Sequence, residues 1–569
     1  MDTANDHLQN FFVDGALDST KWRDKRALLA PVLSPDQIER IRPYAKPRTA
    51  SQGEVLYEPN DENQSVYVVE SGQLMILSLA DSVPREVIGF GPGQFSGDTL
   101  VIAGRRSICR CLVVEPSVLL ELDAPSFRSL ISKDSDLSDA FVNAFRARRL
   151  LVRDAGFGNV LLLGSERFAG TLEIREFLVR DGHPFAYRDV DTDVSALKLF
   201  DRFGVGLEDM PVVICNGSLV LRKPCPRDVG EALGFNDSIS DGKLWDLIVV
   251  GAGPGGLATA VYGASEGLSV LVIDKDGPGG QAASSSKIEN YLGFPAGVSG
   301  QELASRAIAQ AEKFGAQIMV ARSVTHINCD SRPYTVTLDN GQSMAARAIV
   351  FATGAQYNRP LPTKVDAFTG KGVYYSATHM EAQACDGEEV VVVGGGNSAG
   401  QAAVFLAQHT KGVHLLVRSE ALCKSMSQYL IERIETNPRI CVHFLAELTS
   451  MEGEEHLEVV RWRDKVSGIV TCRPIRHVFV MAGASPCTHW LSRCVSLDRS
   501  GFIVTGQDLL AATAPIPWPL SRDPLMLETS LPGVFAVGDA RSGSVKKVAS
   551  AVGEGSIVVS LIHQVLRAA

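Results

Sequence analysis

The sequence predicts a multidomain chain in which a small β-barrel or jelly roll is followed by a small α/β domain and then by a larger region of two doubly wound α/β units. Three observations carry this prediction. Short apolar segments alternate with polar residues and glycines from Gly53 to about Leu122. Strand-like and helix-like segments alternate from Asn159 to about Phe235. After Leu244, a glycine-rich turn between an apolar run and an alanine-rich run occurs twice. At 569 residues the chain exceeds what one core can serve, so three or four domains are expected.

Composition narrows the partners. A net charge of −10 gives no electrostatic support for a nucleic-acid partner. With 45% hydrophobic and 21% charged residues the chain is ordinary for globular protein, no apolar run reads as a bilayer span, and no membrane partner is expected. The N-terminus opens on Asp2, Asn5 and Asp6 without the basic and apolar regions of a signal peptide, so a cytoplasmic location is expected. The 11 cysteines are scattered and include no C-x-x-C pair, which removes the usual spacing of a redox dithiol and of a zinc knuckle. Most are expected as thiols, and no metal site is expected.

Residues 1–30, polar with scattered aromatics such as Phe11, Phe12 and Trp22, read as a loosely ordered arm. The barrel occupies 33–150, with apolar segments at Val66, Leu74, Leu112 and Val118 and a helical stretch from Phe127 to Leu151. Within it, the run Gly97-Asp98-Thr-Leu-Val-Ile-Ala-Gly-Arg105-Arg106-Ser107 resembles the phosphate-binding cassette of cyclic-nucleotide-binding domains. Such a cassette needs a carboxylate for the ribose 2′-hydroxyl and an arginine for the cyclic phosphate. Asp98 takes the place usual for glutamate, and either Arg105 or Arg106 fills the arginine role. The resemblance implies cyclic AMP as an effector; the alternative is a barrel kept only for docking or dimerisation.

Residues 156–236 form the second domain. It resembles a thioredoxin or glutaredoxin fold through Glu208-Asp-Met-Pro211-Val-Val-Ile-Cys, with Pro211 where that fold holds a cis proline before a strand. Ser165-Glu-Arg-Phe168 replaces the expected dithiol, leaving Cys215 and Cys225 without partners and the domain as a spacer or binding surface.

From Leu247 the run Ile-Val-Val-Gly251-Ala-Gly253-Pro-Gly-Gly256 reads as a buried strand, a tight turn and an entering helix. Glycine lets the backbone approach a pyrophosphate, whose charge meets free N–H groups and the positive end of the helix dipole. Asp274 ends the next strand, placed to bind a ribose hydroxyl. The turn recurs with Gly394, Gly396, Asn397, Ser398 and Ala399, so two dinucleotides are expected in two Rossmann-like units. Where the second nucleotide's ribose acid would stand, the sequence has Arg418, then Glu420 and Lys424. Positive charge there favours a 2′-phosphate, hence NADPH over NADH.

These residues, with Gly279-Gly-Gln281-Ala, Ile288-Glu-Asn290-Tyr-Leu-Gly-Phe-Pro, Ala352-Thr-Gly354, Gly372-Val-Tyr-Tyr and Leu531-Pro-Gly-Val-Phe-Ala-Val-Gly538-Asp539, resemble the thioredoxin reductase family over roughly 244–569. The resemblance implies an FAD domain at 244–370 and 495–569 interrupted by an NAD(P)H domain at 371–494. It places Gln281 and Asn290 near the isoalloxazine or its chain, Asp539 on the ribityl hydroxyls, and Lys546, Lys547 and Val548 along the flavin's pyrimidine edge, where a cation would stabilise the anionic reduced flavin.

One departure is chemical. The family's redox Cys-Ala-Thr-Cys is here Ser376-Ala-Thr-His379, which cannot form a disulfide. Electrons would therefore leave the flavin for another acceptor, small molecule or protein, with His379 as candidate proton donor. The resulting expectation is an FAD-dependent NAD(P)H oxidoreductase, a homodimer, regulated through the barrel. The alternatives are a disulfide reductase using other cysteines such as Cys385, and a catalytically silent sensor.

Overall fold

In a computed structural model the described residues are 26–568, apart from 63, 80–83, 155–157, 166–167, 194, 240–241, 358–367, 370, 376, 423–425, 455, 482 and 512–517. Most of the N-terminal arm, Ser376 and Lys424 thus lie outside them.

The first sheet has five antiparallel strands, β1 (Lys46–Ala50), β2 (Val55–Tyr57), β3 (Val66–Ser78), β4 (Arg85–Phe90) and β5 (Arg110–Leu122), in the order β1-β5-β3-β4 with β2 on β5. Between β4 and β5 lies the short helix α1 (Thr99–Ala103), and α2 (Ala124–Lys133) and α3 (Ser135–Asp154) follow. Phe95, Phe127, Phe141 and Phe145 meet in a fully buried aromatic cluster under α3. That cluster fixes α1, because a side chain at Gly97 would collide with Phe145 and Val66.

The second domain is a four-stranded sheet of β6 (Val160–Gly164), β7 (Phe185–Asp189), β8 (Val212–Cys215) and β9 (Leu219–Arg222) in the order β7-β6-β8-β9. Helices α4 (Ala169–Asp181), α5 (Ser195–Phe203) and α6 (Pro226–Ala232) flank it, and the Met210–Pro211 peptide is cis. This domain is not insulated from the next: Phe177, Val229 and Phe235 share one core with Leu257, Val272 and Val320.

The third sheet begins with β10 (Leu244–Val250), after which α7 (Pro254–Ser265), β11 (Val270–Ile273), α8 (Gly280–Ala283), α9 (Gly300–Lys313), β12 (Gln317–Met319), β13 (Val324–Asn328), β14 (Tyr334–Leu338) and β15 (Ser343–Phe351) follow. Its order is β12-β11-β10-β15-β14-β13, with the late strand β26 paired to β15. A ribbon of β16 (Ala355–Tyr357) against β25 (Ala484–Pro486) carries the chain out and back. Between them lie β17 (Val373–Tyr374), α10 (His379–Ala384), β18 (Glu389–Val393), α11 (Asn397–Leu406), β19 (Gly412–Val417), α12 (Gln428–Glu435), β20 (Ile440–Phe444), the meander β21 (Ala446–Glu452), β22 (Val459–Asp464) and β23 (Val470–Arg473), and β24 (His477–Val480). The inserted parallel sheet runs β17-β24-β18-β19-β20. The chain rejoins the outer unit at β25 and not at residue 494, because Trp490 packs edge-on against Phe351, and Leu491 and Val495 are buried in the outer unit's core.

After β26 (Val534–Ala536) the chain ends in α13 (Val548–Ala568). By length and composition this helix satisfies the requirement for a bilayer span, contrary to the expectation from sequence. Its apolar face is used inside the protein: Val558, Val559 and Ile562 are fully buried with Leu257 and Phe535. Gly555 lets α13 approach α7 so closely that an added Cβ would lie 2.5 Å from the Gly255 carbonyl oxygen.

The cysteines hold one surprise. Cys329, just after β13, and Cys494 are joined in a disulfide across 165 residues. Eight other described cysteines are thiols.

Candidate functional site

The first glycine turn and the start of the helix that follows the second open on one cavity of about 680 Å³, while Gly394, Gly396 and Ala399 do not line it. On its first side stand Gly251, Gly253 and Pro254 at the start of α7, and on its second Asn397, Ser398 and Gln401 of α11. Each turn follows a buried parallel strand, β10 or β18, so the backbone must reverse within a few residues to enter the helix. Gly251 does so at φ +109°, with no room for a side chain because a Cβ would lie 2.3 Å from the Ala352 carbonyl oxygen. Gly256 is equally restricted, 1.9 Å from the Gly251 carbonyl oxygen. Gly253 differs: a Cβ there would meet nothing closer than 4.0 Å, so the space above it is left open by the protein itself. In the second turn, Gly394 at φ +149° would place a Cβ 2.5 Å from the Met481 carbonyl oxygen. Gly396 caps α11, fully buried Ala399 packs beneath it, and the Asn397 side-chain oxygen accepts from the Ser427 N–H at 2.7 Å, which ties the turn to α12.

Asp274 follows β11 and lines the cavity. Its carboxylate accepts from the N–H groups of Ala252 at 2.6 Å, Asp276 at 3.0 Å and Gly277 at 2.9 Å. Burial raises its pKa against the lowering by these donors. An acceptor held this way keeps a lone pair for a ribose hydroxyl. Gln281, Asn290, Gly354, Gly538 and Asp539 also line the cavity. Burial raises the Asp539 carboxyl, with Lys546 opposing. Among the described residues, the buried Thr353 hydroxyl at the wall has no hydrogen-bond partner. A glycine cradle with an open face and an unsatisfied hydroxyl fits a dinucleotide.

Lys546, Lys547 and Val548 line the same cavity just ahead of α13. The Lys546 ammonium is turned back, donating to the Asp539 carbonyl at 2.7 Å and to Ser544 Oγ at 2.8 Å and lying 4.3 Å from the Phe502 ring centre. Burial lowers its pKa. Arg418 is exposed beyond the end of β19.

His379 opens α10, whose N-terminal side is held by Thr378, its N–H bonded to Glu381 at 2.8 Å. Cys385 does not reach the cavity: it is fully buried among Ala377, Ala382 and Val390, and burial pushes its thiol far up, the signature of a packing cysteine.

Two features were not read from the sequence. Arg180, at the end of α4 in the second domain, lines the dinucleotide cavity and donates to Ser284 Oγ at 3.1 Å. In addition, both arginines of the front cassette are held in ion pairs: Arg105 reaches the second domain, and Arg106 reaches Asp237 beyond that domain as well as Asn60 and Glu62 of its own. Buried Arg105 pairs with Asp181 at 2.7 Å and lies over the Phe235 ring, and Arg106 pairs with Asp237 at 2.5 Å. Asp98 caps α1 by accepting from the Leu100 N–H at 2.8 Å, while Gly97 takes φ +101° and Ser107 Oγ bonds the Cys109 carbonyl. These pairs are long-range and left no local mark in the sequence.

Residues 245–555 match the model of the pyridine nucleotide-disulphide oxidoreductase family. The chain belongs to that family. Residues 47–134 match the cyclic nucleotide-binding domain. Among family members, thioredoxin reductase of Bacillus subtilis is 31% identical over 328 residues, covering 57% of this chain and 96% of that protein. Thioredoxin reductase of Listeria innocua is 28% identical over 324 residues, covering 56% and 92%. Among solved structures, thioredoxin reductase of T. acidophilum superposes with a TM-score of 0.50 at 28% identity, covering 56% of this chain and 98% of that one. The FR conformation of the Lactococcus lactis enzyme gives 0.51 at 23% identity, covering 57% and 100%, a likeness of fold. The matched region is the part of this oxidoreductase that contains the cavity; the first two domains precede it.

Proposed function

We propose that this oxidoreductase is an FAD-dependent NAD(P)H oxidoreductase that passes reducing equivalents to an acceptor other than the usual dithiol. The observation that supports the reading is one cavity lined both by the first glycine turn and by Asn397, Ser398 and Gln401 at the start of α11. Gly251, Gly253 and Asp274 would hold FAD, and Gly394, Gly396, Asn397 and Ser398 the nicotinamide dinucleotide, NADPH being favoured by Arg418. When bound, FAD supplies two-electron chemistry between the nicotinamide and the acceptor. The chain's own contribution is positional. Helices α7 and α11 each direct free N–H groups at a pyrophosphate. Asp539 and Thr353 offer polar partners along the wall.

The acceptor reading rests on Ser376 and His379 replacing the redox pair and on the burial of Cys385. His379 is the proposed proton donor. We read 33–150 as a cyclic-nucleotide-responsive domain, 156–236 as thioredoxin-like without a dithiol, 244–370 with 495–569 as the FAD domain and 371–494 as the NAD(P)H domain, its end adjusted to β25. A cytoplasmic homodimer completes the reading.

Anaerobic titration of the flavin-loaded full chain with NADPH and NADH tests this. Bleaching of bound flavin by NADPH, and no loss of turnover after thiol blocking, are the expected results. A flavin that neither nucleotide reduces would exclude the enzymatic reading, and turnover abolished by thiol blocking would restore the disulfide mechanism.

A further inference from the structure

The inserted unit has a second cluster of reactive side chains, on the sheet face opposite α11. In β19, Val413, Leu415 and Val417 point into the core beneath α11, so His414 falls on the other face. In β20, Ile440 takes the inner face, and Cys441 and His443, alternating with it, share the outer one. The parallel register sets His414 beside Cys441. The donor atoms of His414, Cys441 and His443 all lie within 4.8 Å of one another, and His414 Nδ1 is 3.0 Å from His443 Nε2. Trp462 of β22 walls the site, its ring centre 5.4 Å from His414 and 5.3 Å from His443.

We propose that His414, Cys441 and His443 bind a borderline divalent cation of the zinc type. Two imidazoles and a thiolate are the donor set such a cation selects. Metal–nitrogen bonds of about 2.0–2.1 Å and a metal–sulfur bond of about 2.3 Å place tetrahedral donors roughly 3.3–3.6 Å apart. The observed pair must therefore open by only a few tenths of an ångström.

A second observation points the same way. The other ring nitrogen of His414, Nε2, faces Glu389 Oε2 at 3.7 Å. A metal-bound imidazole hands its remaining N–H to a carboxylate, which fixes the tautomer and raises ligand basicity. With the His414 proton on Nε2 and the His443 proton on Nδ1, both facing nitrogens present lone pairs. Binding moves the proton shared between the two facing nitrogens to the outer nitrogen of the same ring, giving these tautomers, forms two metal–nitrogen bonds and one metal–sulfur bond in place of three metal-bound waters, and releases the Cys441 thiol proton to solvent. Exposure of Cys441 leaves the fourth position to water. Arg473 of β23 is the opposing charge, acting on both histidines.

The test uses the full chain, without an affinity tag, stripped with chelator and held reduced. Cobalt(II) chloride should give a thiolate-to-cobalt charge-transfer band in the difference spectrum at one equivalent, displaced by zinc. Cys441→Ser should abolish the band and weaken zinc binding by about tenfold or more, and His443→Gln should weaken it similarly. Cys472→Ser, at an exposed cysteine of the neighbouring β23, should leave both unchanged. Arg473→Gln should tighten binding. A wild-type chain without the band, or a Cys441→Ser protein that binds zinc as tightly as wild type, overturns the proposal. Neither result bears on the flavin reading, because the cluster lies outside the dinucleotide cavity.

Discussion

Two glycines three residues apart should respond to the same substitution in opposite ways. Gly256→Ala places a methyl 1.9 Å from the Gly251 carbonyl oxygen, against a closest ordinary approach of 3.0 Å. The helix or the turn must move by about 1 Å, and overpacking of this kind costs about 1–3 kcal/mol. For a domain of this size that corresponds to a fall in Tm of roughly 2–4 °C per kcal/mol, seen in the flavin-free protein as well as the loaded one. Gly253→Ala, at φ −71° and with nothing within contact distance, should leave the flavin-free Tm within about 2 °C of wild type, since alanine in place of glycine at an N-cap costs under about 1 kcal/mol. Its methyl instead occupies the space a pyrophosphate must enter, so flavin content after purification should fall at least tenfold. The assay is differential scanning fluorimetry with and without added FAD, alongside the ratio of flavin to protein absorbance. Wild-type flavin content in Gly253→Ala would refute the assignment of this turn to the pyrophosphate.

Three further outcomes follow from buried charge. Asp181→Ala should destabilise by about 3–5 kcal/mol in urea unfolding, because it leaves the nearly buried Arg105 unpaired; a change below about 1 kcal/mol would mean the pair is not formed. Arg522→Ala should cost about 2–3 kcal/mol by the same measure, since it strips the two donors at 2.6 and 2.7 Å from fully buried Glu528 while the Leu525 and Gly533 N–H groups remain. Burial pushes the Glu312 carboxyl up to about 7, with Asp181 raising it and Arg105 and Arg149 opposing. The folded state therefore binds the proton more tightly than the unfolded chain, whose value is about 4.3, and stability falls as pH rises between these two values, by roughly 4 kcal/mol in all. Glu312→Gln should flatten that slope in unfolding curves taken from pH 4.5 to 7.5; an unchanged slope would assign it to another group.

What the sequence disclosed was what is written locally. Each glycine turn lies within a dozen residues of its strand and helix, and Asp274 stands a fixed distance on, so each turn is legible by itself, whereas the approach of α11 to the cavity of the first turn is a long-range matter. The insertion of one unit in the other was legible through the order of motifs, but its return point was not, because Trp490, Leu491 and Cys494 are assigned by contacts with Phe351 and Ile327 more than a hundred residues earlier. The Cys329–Cys494 disulfide was hidden for the same reason. Lys546 looked like a free cation beside the cavity, and only the fold shows its ammonium spent on Asp539, Ser544 and Phe502. Pairs such as Arg105 with Asp181 join separate domains and have no spacing to read.

Those inter-domain pairs connect the first domain to the wall of the cavity. Arg105 leaves the cassette to meet Asp181, the last residue of α4, and the residue before it, Arg180, lines the dinucleotide cavity. Arg146 of α3 reaches Glu302 of α9 at 3.0 Å, and Gln301 donates to the Val179 carbonyl at 2.8 Å, so the end of α4 is held from both sides. An anion at the cassette that recruited Arg105 would have to release Asp181. The released carboxylate, buried beside Glu312, could not stay charged and unpaired, so α4 would shift or take up a proton. Either response reaches Arg180. Coupling of this kind is reciprocal, so if it operates, filling the dinucleotide cavity must change anion affinity at the cassette by the same factor as the anion changes dinucleotide affinity.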